Sequence, residues 1–282
     1  MNKTSQWDNL GRNMGDHMPM ETWRDEFEAL LQDLVTELDD GETLALGLTG
    51  SYARGRPSPY SDVDLKRFTQ SAPATPQDRH RILRRRGFLI SLATTTFEAV
   101  SESLQQPERA IWTVPALRQM RVLLDRDGSL ARLIQAAHDF TWEPLQPKAD
   151  ESAADSLAAF AEDVAKVLNS LARGDFLAAL YWTDTLVYGL AGTMAVYLGV
   201  LIPTEHVFYR SVHEAVGQDT AWTRLHKQAL GLPAGATPTS RAQAAARLYL
   251  ETSRLLAPIL TPDQRNVVEP ACEQIQQMKP QA

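Results

Sequence analysis

Strand-like patterns occur only in the first half of this chain, and this asymmetry most constrains its fold. Four short runs rich in apolar and β-branched residues lie at 44–49, 62–65, 88–96 and 120–125. Beyond residue 146 the apolar residues repeat at helical spacing, with breaks at glycines and prolines. The pattern predicts an α+β fold, in which a mixed β-sheet with helices is followed by an all-α helical bundle.

A boundary between these two parts is expected in the segment 141–152, which contains two prolines and follows the last strand pattern. We therefore predict one domain over residues 1–145 and a helical domain over residues 146–282. In the first domain, helices are expected over 21–39, 76–86, 97–105, 107–117 and 129–140.

The cysteine content restricts the kinds of site that this chain can contain. Of its 282 residues only Cys272 is a cysteine, which excludes an intramolecular disulfide framework and a zinc site built from several thiolates. A single cysteine fits a reducing compartment, and the first residues contain no apolar run of the signal-peptide kind. We expect a cytoplasmic protein.

The charge balance argues against a general nucleic-acid binder. The formal net charge is −7, whereas phosphate neutralisation by basic side chains supplies most of the affinity of such proteins. An acidic surface instead suits a small or cationic partner. The basic run 79–86 keeps a local phosphate-facing patch open as an alternative, and nucleic acid is the less favoured partner.

One segment of the second half is apolar enough to be compared with a transmembrane helix. Residues 185–204 carry no charged side chain and approach the length of a transmembrane helix. The segment contains three glycines and lacks a dense Lys/Arg flank. We interpret it as a helix buried in the bundle and expect no membrane partner.

A turn of small residues follows the first apolar run. Gly50 and Ser51 come directly after residues 44–49, and Arg54 lies three residues further on. A turn between a strand and a helix aims backbone N–H groups at phosphate oxygens. Gly50 would let the backbone approach closely, Ser51 would add a hydroxyl donor, and Arg54 would hold a phosphate with two hydrogen bonds. The turn predicts a phosphate-binding site.

Two carboxylates follow this turn with a spacing of two residues. Asp62 and Asp64 stand at the start of the second strand-like run, where alternation places both on one face. Two such carboxylates can share a divalent metal ion, and Mg²⁺ bound there would bridge nucleotide phosphates. Together with the turn they predict phosphoryl or nucleotidyl transfer.

Residues 50–65, GSYARGRPSPYSDVDL, resemble the signature of the DNA polymerase beta-like nucleotidyltransferase superfamily: Gly-Ser, a short spacer, then Asp-hydrophobic-Asp. The resemblance implies that Gly50 and Ser51 contact the phosphates of a nucleoside triphosphate and that Asp62 and Asp64 bind Mg²⁺. Arg54 and Ser61 complete the set of residues that we expect to contact the nucleotide.

The layout of the chain is similar to that of the aminoglycoside (kanamycin-type) and lincosamide nucleotidyltransferases, which have an α/β head and a helical C-terminal half. This similarity implies a nucleotidyltransferase-type head domain and a substrate-binding helical domain. It also implies a small acceptor with a hydroxyl group. ATP is the expected nucleotide.

The superfamily often carries a third carboxylate on a neighbouring strand, and the run 88–96 has none. Its hydroxyl side chains are poor substitutes on Mg²⁺. Glu98, just after the run, is the nearest replacement, although an exposed acid in the first turn of a helix is the favoured interpretation. The hydroxyl side chains considered are those of Ser91, Thr94, Thr95 and Thr96.

Asp184 is the candidate general base. It is the only charged residue between Asp175 and Glu205, within an apolar helical pattern. Burial would raise the pKa of its carboxyl toward values useful for a base. In kanamycin-type enzymes the base is a glutamate of the helical domain, which the resemblance places nearest Val187. An aspartate paired with an arginine, or capping a break in the helix, is the alternative.

The sequence therefore predicts a Mg²⁺-dependent nucleotidyltransferase that moves a nucleoside monophosphate, AMP from ATP, to a hydroxyl group of a small molecule. One alternative is a macromolecular acceptor such as tRNA or a protein side chain, as in nucleotidyltransferase toxins, which the basic run 79–86 favours. Another is a nucleotide-binding module without catalysis, which the missing third carboxylate favours. A homodimer is left open.

Overall fold

The computed structural model describes residues 20–278, and the side chains of residues 24–278. The chain forms two compact units. The first runs up to Gln105 and resumes over Trp112–Phe140, and the second consists of Gln106–Ile111 and the chain from Thr141 onward. The expected domain boundary at 145/146 stays a prediction.

The first unit is built around a mixed five-stranded sheet with the strand order β3-β4-β2-β1-β5. β2 and β4 are parallel, and the other neighbouring pairs are antiparallel. The strands are β1 (Thr43–Thr49), β2 (Val63–Thr69), β3 (His80–Arg85), β4 (Phe88–Thr95) and β5 (Arg121–Asp125).

Helices connect these strands and cover the sheet. They are α1 (Met20–Leu38), α2 (Gly50–Ala53), α3 (Pro76–Arg79), α4 (Phe97–Ser103), α5 (Pro107–Arg118) and α6 (Ser129–Asp139). One face of the sheet packs on α1 through Leu46, Leu48, Leu65 and Ile90. The other face packs on α4, α5 and α6 around Phe68. This second face also carries the side chains of the site.

The second unit is helical, as the apolar spacing predicted. After a 3₁₀ turn at Glu143–Leu145 it contains α7 (Gln146–Arg173), α8 (Phe176–Tyr197), α9 (Phe208–Val216), α10 (Ala221–Ala229), α11 (Pro238–Leu256) and α12 (Pro262–Gln276), with further 3₁₀ turns at Glu205–Val207 and Ala257–Ile259. Gly174 ends α7 in the left-handed conformation. Within residues 20–278 no helix is long and apolar enough to cross a membrane, and α8 ends inside the charge-free run 185–204.

The prediction of a helix over 76–86 is wrong for most of this segment. Only α3 is helical, and the basic run continues as the edge strand β3, which pairs with β4. Arg86 and Gly87 both have positive φ, 49° and 83°, and form the two-residue turn of this hairpin. Arg85 and Arg86 form ion pairs with Glu37 and Asp33 of α1.

Candidate active site

The turn after β1 brings the backbone against a carboxylate of β2. Thr49, the last residue of β1, pairs with Asp64 across the sheet, and Gly50 follows with φ of +69°. A Cβ atom added at Gly50 would collide with the Asp64 carboxylate. The close approach and the left-handed φ both require glycine at this position. The turn that the sequence predicts to bind phosphate and the carboxylate that it predicts to bind Mg²⁺ therefore lie next to each other.

Asp62 and Asp64 supply oxygen ligands of the kind that Mg²⁺ prefers. Both side chains are half-buried. Burial, together with the charge of Asp62, raises the pKa of the Tyr52 hydroxyl to about 12. Within the described chain no cluster of three or more His, Cys, Asp and Glu side chains could hold a metal ion. Two carboxylates fit Mg²⁺, which completes its shell with water and substrate phosphates.

The other residues expected to contact the nucleotide have different surroundings. The Ser51 hydroxyl is half-buried and has no hydrogen-bond partner among the described residues. Arg54 donates from Nη1 to Gln119 Oε1 at 3.4 Å. Ser61 Oγ accepts from the Ser58 N–H at 2.8 Å and so closes the turn before β2. Ser51 is thus open to a ligand, whereas the Ser61 hydroxyl holds its own loop.

Strand β4 carries the hydroxyl of Ser91 beside Asp64, where the superfamily often has a third carboxylate. Ser91 pairs with Asp64 in the parallel register of β2 and β4. Thr94 points to the opposite face, and Thr96 caps α4 by accepting from the Ala99 N–H at 3.2 Å. Glu98 is exposed in the first turn of α4. The structure agrees with the interpretation of Glu98 as a surface acid that is favourable at a helix N-terminus.

Two side chains of this face were missed from the sequence. Lys66 lies on the same face of β2 as Asp64, is half-buried, and burial lowers the pKa of its ammonium group. His80 of β3 has Nε2 3.0 Å from Ser91 Oγ. The alternation Asp62, Asp64, Lys66 was the available signal for the lysine. No signal indicated His80, because β3 was interpreted as a helix.

Asp184 is not buried, which corrects the reason for proposing it as a base. Its side chain is 67% exposed on α8 and forms an ion pair with Arg241, Oδ1 to Nη2, at 2.7 Å. The buried side of α8 is formed by Thr183, Leu186, Val187 and Leu190. The pairing with an arginine is the alternative that the sequence left open.

A groove of about 320 Å³ lies on the other face of the sheet. Its lining includes Arg67, Arg81, Leu92 and Thr94. These residues alternate with those of the Asp64 face along β2, β3 and β4, so the groove is separated from Asp64 by the sheet itself. Glu42 and Asp78 also line the groove, so its charge is mixed and gives it no clear preference for an anion.

Comparison with known proteins supports the fold. Neither the models of known protein families nor the curated proteins include a match to this sequence. The crystal structure of a nucleotidyltransferase-like protein from Exiguobacterium sibiricum 255-15 is similar over 89% of this chain and 78% of that chain, with a TM-score of 0.51 and 17% sequence identity. The chain thus has a nucleotidyltransferase-like α+β fold with a C-terminal helical region.

Proposed function

We propose that this chain is a Mg²⁺-dependent nucleotidyltransferase that moves AMP from ATP to a hydroxyl group of a small acceptor. The collision that a Cβ at Gly50 would make with Asp64 is the observation that carries the proposal, because it joins a phosphate-binding turn to a metal-binding carboxylate. The nucleotidyltransferase-like fold supports it.

In this reaction the acceptor oxygen forms a bond to the α-phosphorus of ATP. The bond from that phosphorus to the oxygen bridging to the β-phosphate breaks, pyrophosphate leaves, and the hydroxyl proton passes to a base. Positioning and electrostatics dominate catalysis of this kind. When bound, Mg²⁺ neutralises phosphate charge and polarises the α-phosphorus.

The residues of the chain have separate tasks in this proposal. The backbone N–H groups and hydroxyl of the Gly50–Ser51 turn hold phosphate oxygens, with Arg54 as a further donor. Asp62 and Asp64 hold Mg²⁺. Ser61 keeps the turn before β2 in shape by its bond with Ser58.

Asp184 stays the proposed base. An exposed carboxylate is accessible to an acceptor, and the guanidinium of Arg241 fixes its orientation. The aminoglycoside-like nature of the acceptor likewise stays a proposal, which rests on the resemblance of the sequence motif and layout to the kanamycin-type and lincosamide enzymes.

The test is pyrophosphate release from ATP and Mg²⁺ with a panel of hydroxyl-bearing acceptors that includes aminoglycosides. We expect acceptor-dependent release with the unchanged chain and a loss of about 10³-fold or more in Asp64→Asn, since metal-based charge stabilisation is worth several kcal/mol. Glu98→Gln is the matched control and should keep full activity. Release that is independent of acceptor, or unaffected by Asp64→Asn, would contradict the proposal.

A macromolecular acceptor is the second candidate, and the edge strand β3 favours it. Arg81 and Arg84 on this strand are exposed and form no ion pair among the described residues. Expression of the unchanged chain should then arrest growth, and Asp64→Ala should relieve the arrest. Normal growth with transfer to a small molecule would exclude this candidate.

A further inference from the structure

We propose that Lys66 is a further anion-binding residue of this site and that its ammonium group holds a phosphate group of a bound substrate. The inference rests on the proposed function and adds a residue and a ligand class to it. The phosphate belongs either to the polyphosphate tail of the nucleotide or to a phosphorylated acceptor.

Lys66 lies on the same face of the sheet as Asp64, opposite the face that packs on α1. Along β2 the side chains of Val63 and Leu65 enter the core that packs on α1, so Asp64 and Lys66 project from the opposite face. In the sheet Lys66 lies between Gly47 of β1 and Ala93 of β4. Neither neighbour has a side chain beyond Cβ that could hydrogen bond with the lysine.

The ammonium group of Lys66 has no counter-charge among the described side chains. Lys66 is half-buried, and no carboxylate or hydrogen-bond acceptor of the described side chains pairs with it. Removing an ammonium group from water is costly unless an anion compensates for the lost hydration. Its Nζ is not among the fully enclosed polar atoms without a partner, so the ammonium group keeps some contact with solvent. An incoming anion would supply the missing partner.

The face of the sheet around Lys66 carries few charged side chains. On strands β1–β4 this face carries Asp64 as its single acid, and Asp64 is assigned to the metal. The other polar groups of this face on these strands are Lys66, the hydrogen-bonded pair His80–Ser91, the exposed Arg84 of β3, Thr49 and Thr95. An excess of cations with neutral hydrogen-bonding groups suits a phosphate.

The test compares Lys66→Met, which removes the charge at similar length, with Lys66→Arg, which keeps it. Arg81→Met is the matched control, because Arg81 is an exposed cation on the opposite face of the same sheet. Two titrations by calorimetry separate the sources of the phosphate. In one, Mg²⁺-tripolyphosphate is added to the free protein. In the other, inorganic phosphate is added to the protein saturated with Mg²⁺ and a non-hydrolysable ATP analogue.

We expect Lys66→Met to weaken one of these ligands at least about tenfold, with Lys66→Arg and Arg81→Met remaining close to the unchanged chain. An effect on tripolyphosphate assigns Lys66 to the nucleotide tail, and an effect on inorganic phosphate assigns it to the acceptor. Equal binding of both ligands by the unchanged chain and Lys66→Met, or no binding by either, would overturn the inference. Phosphate binding that depends on Lys66 without transfer to any acceptor would overturn the proposed function alone.

Discussion

The two units each bury an ionisable side chain, and the two burials differ in kind. In the helical unit His226 is fully buried, with Nδ1 2.9 Å from His213 Nε2 and Nε2 3.2 Å from the Val187 carbonyl oxygen. The ring of Trp222 stacks on it at 5.0 Å. Lys66, in the sheet unit, has no such partners among the residues that the structure describes. A buried group with its hydrogen bonds satisfied stabilises a fold, whereas an unpaired one is available to a ligand.

The largest expected effect comes from Gly50→Ala. The added methyl group would displace the Asp64 carboxylate, so we expect kcat/KM for ATP to fall about 10³-fold. Gly41→Ala is the matched control, because Gly41 also has a positive φ, +84°, but a Cβ added there would meet no atom within 4 Å beyond its chain neighbours. Both variants should lose similar stability. A similar loss of activity in both would assign the effect to backbone strain instead of the carboxylate.

The next effect is a loss of stability in acid that depends on His226. Burial and the neighbouring His213 lower the pKa of His226 to about 4, from a normal value of about 6.5 in the unfolded chain. Between these values the unfolded chain binds the additional proton, so the stabilisation is complete above pH 6.5 and is lost as the pH falls toward 4. The difference is about 3 kcal/mol.

Urea unfolding at pH 5 and pH 7.5 measures about 2 kcal/mol of this difference, because pH 5 lies about 1.5 units below the pKa of the unfolded chain. His226→Gln keeps hydrogen-bonding groups but cannot be protonated, so it should flatten the dependence, whereas the exposed His206→Gln should not. His213, whose pKa is lowered by burial and the charge of Lys227, contributes in the same direction. An unchanged pH dependence in His226→Gln would show that the buried pair is not its source.

Asp184→Asn is expected to act on catalysis more than on folding. An exposed ion pair contributes about 1 kcal/mol or less to stability, whereas removal of a general base costs about 10²-fold in kcat. We expect a reduced kcat with an unchanged KM for ATP and an unchanged melting temperature. Arg241→Met, which frees the carboxylate, should have the milder effect. An unchanged kcat in Asp184→Asn would remove Asp184 from the catalytic set.

The smallest effect tests the two burials directly. Lys66→Met removes a partly desolvated charge that has no partner within the described chain, so we expect it to raise the free energy of unfolding without ligand by about 1 kcal/mol. His226→Met leaves the His213 ring and the Val187 carbonyl without their partner, so it should lower that free energy by about 1–3 kcal/mol. The free energies are measured by urea titration at pH 7.5. If both variants changed the free energy of unfolding in the same direction, the contrast between Lys66 and His226 would be contradicted.

The sequence was sufficient to predict those strands and helices whose apolar spacing follows from the burial of one face. Strands β1, β2, β4 and β5 and the helices around them have alternating or helical apolar spacing, and their existence was predicted. Strand β3 was not, because its arginines are exposed on both faces and its stability comes from pairing with β4 and from ion pairs with α1. Long-range partners of this kind leave little trace in local sequence.

The site was predictable to a similar degree. The Gly50–Ser51 turn and the aspartates of β2 are adjacent in sequence, so their proximity follows from one strand pairing. The exposure of Asp184 was missed because Tyr181 and Tyr188, on the same side of α8, count as apolar although they are exposed. Ser91 and His80 enter the site through sheet register, which only the structure supplies.

The most direct measurement is a crystal structure of the protein with Mg²⁺ and a non-hydrolysable ATP analogue. We predict Mg²⁺ on the carboxylates of Asp62 and Asp64, phosphate oxygens against the Gly50–Ser51 turn, and the nucleotide on the face of the sheet that carries Lys66. A nucleotide bound elsewhere, such as in the groove beside Arg67 and Thr94 on the opposite face, would contradict the assignment of this site.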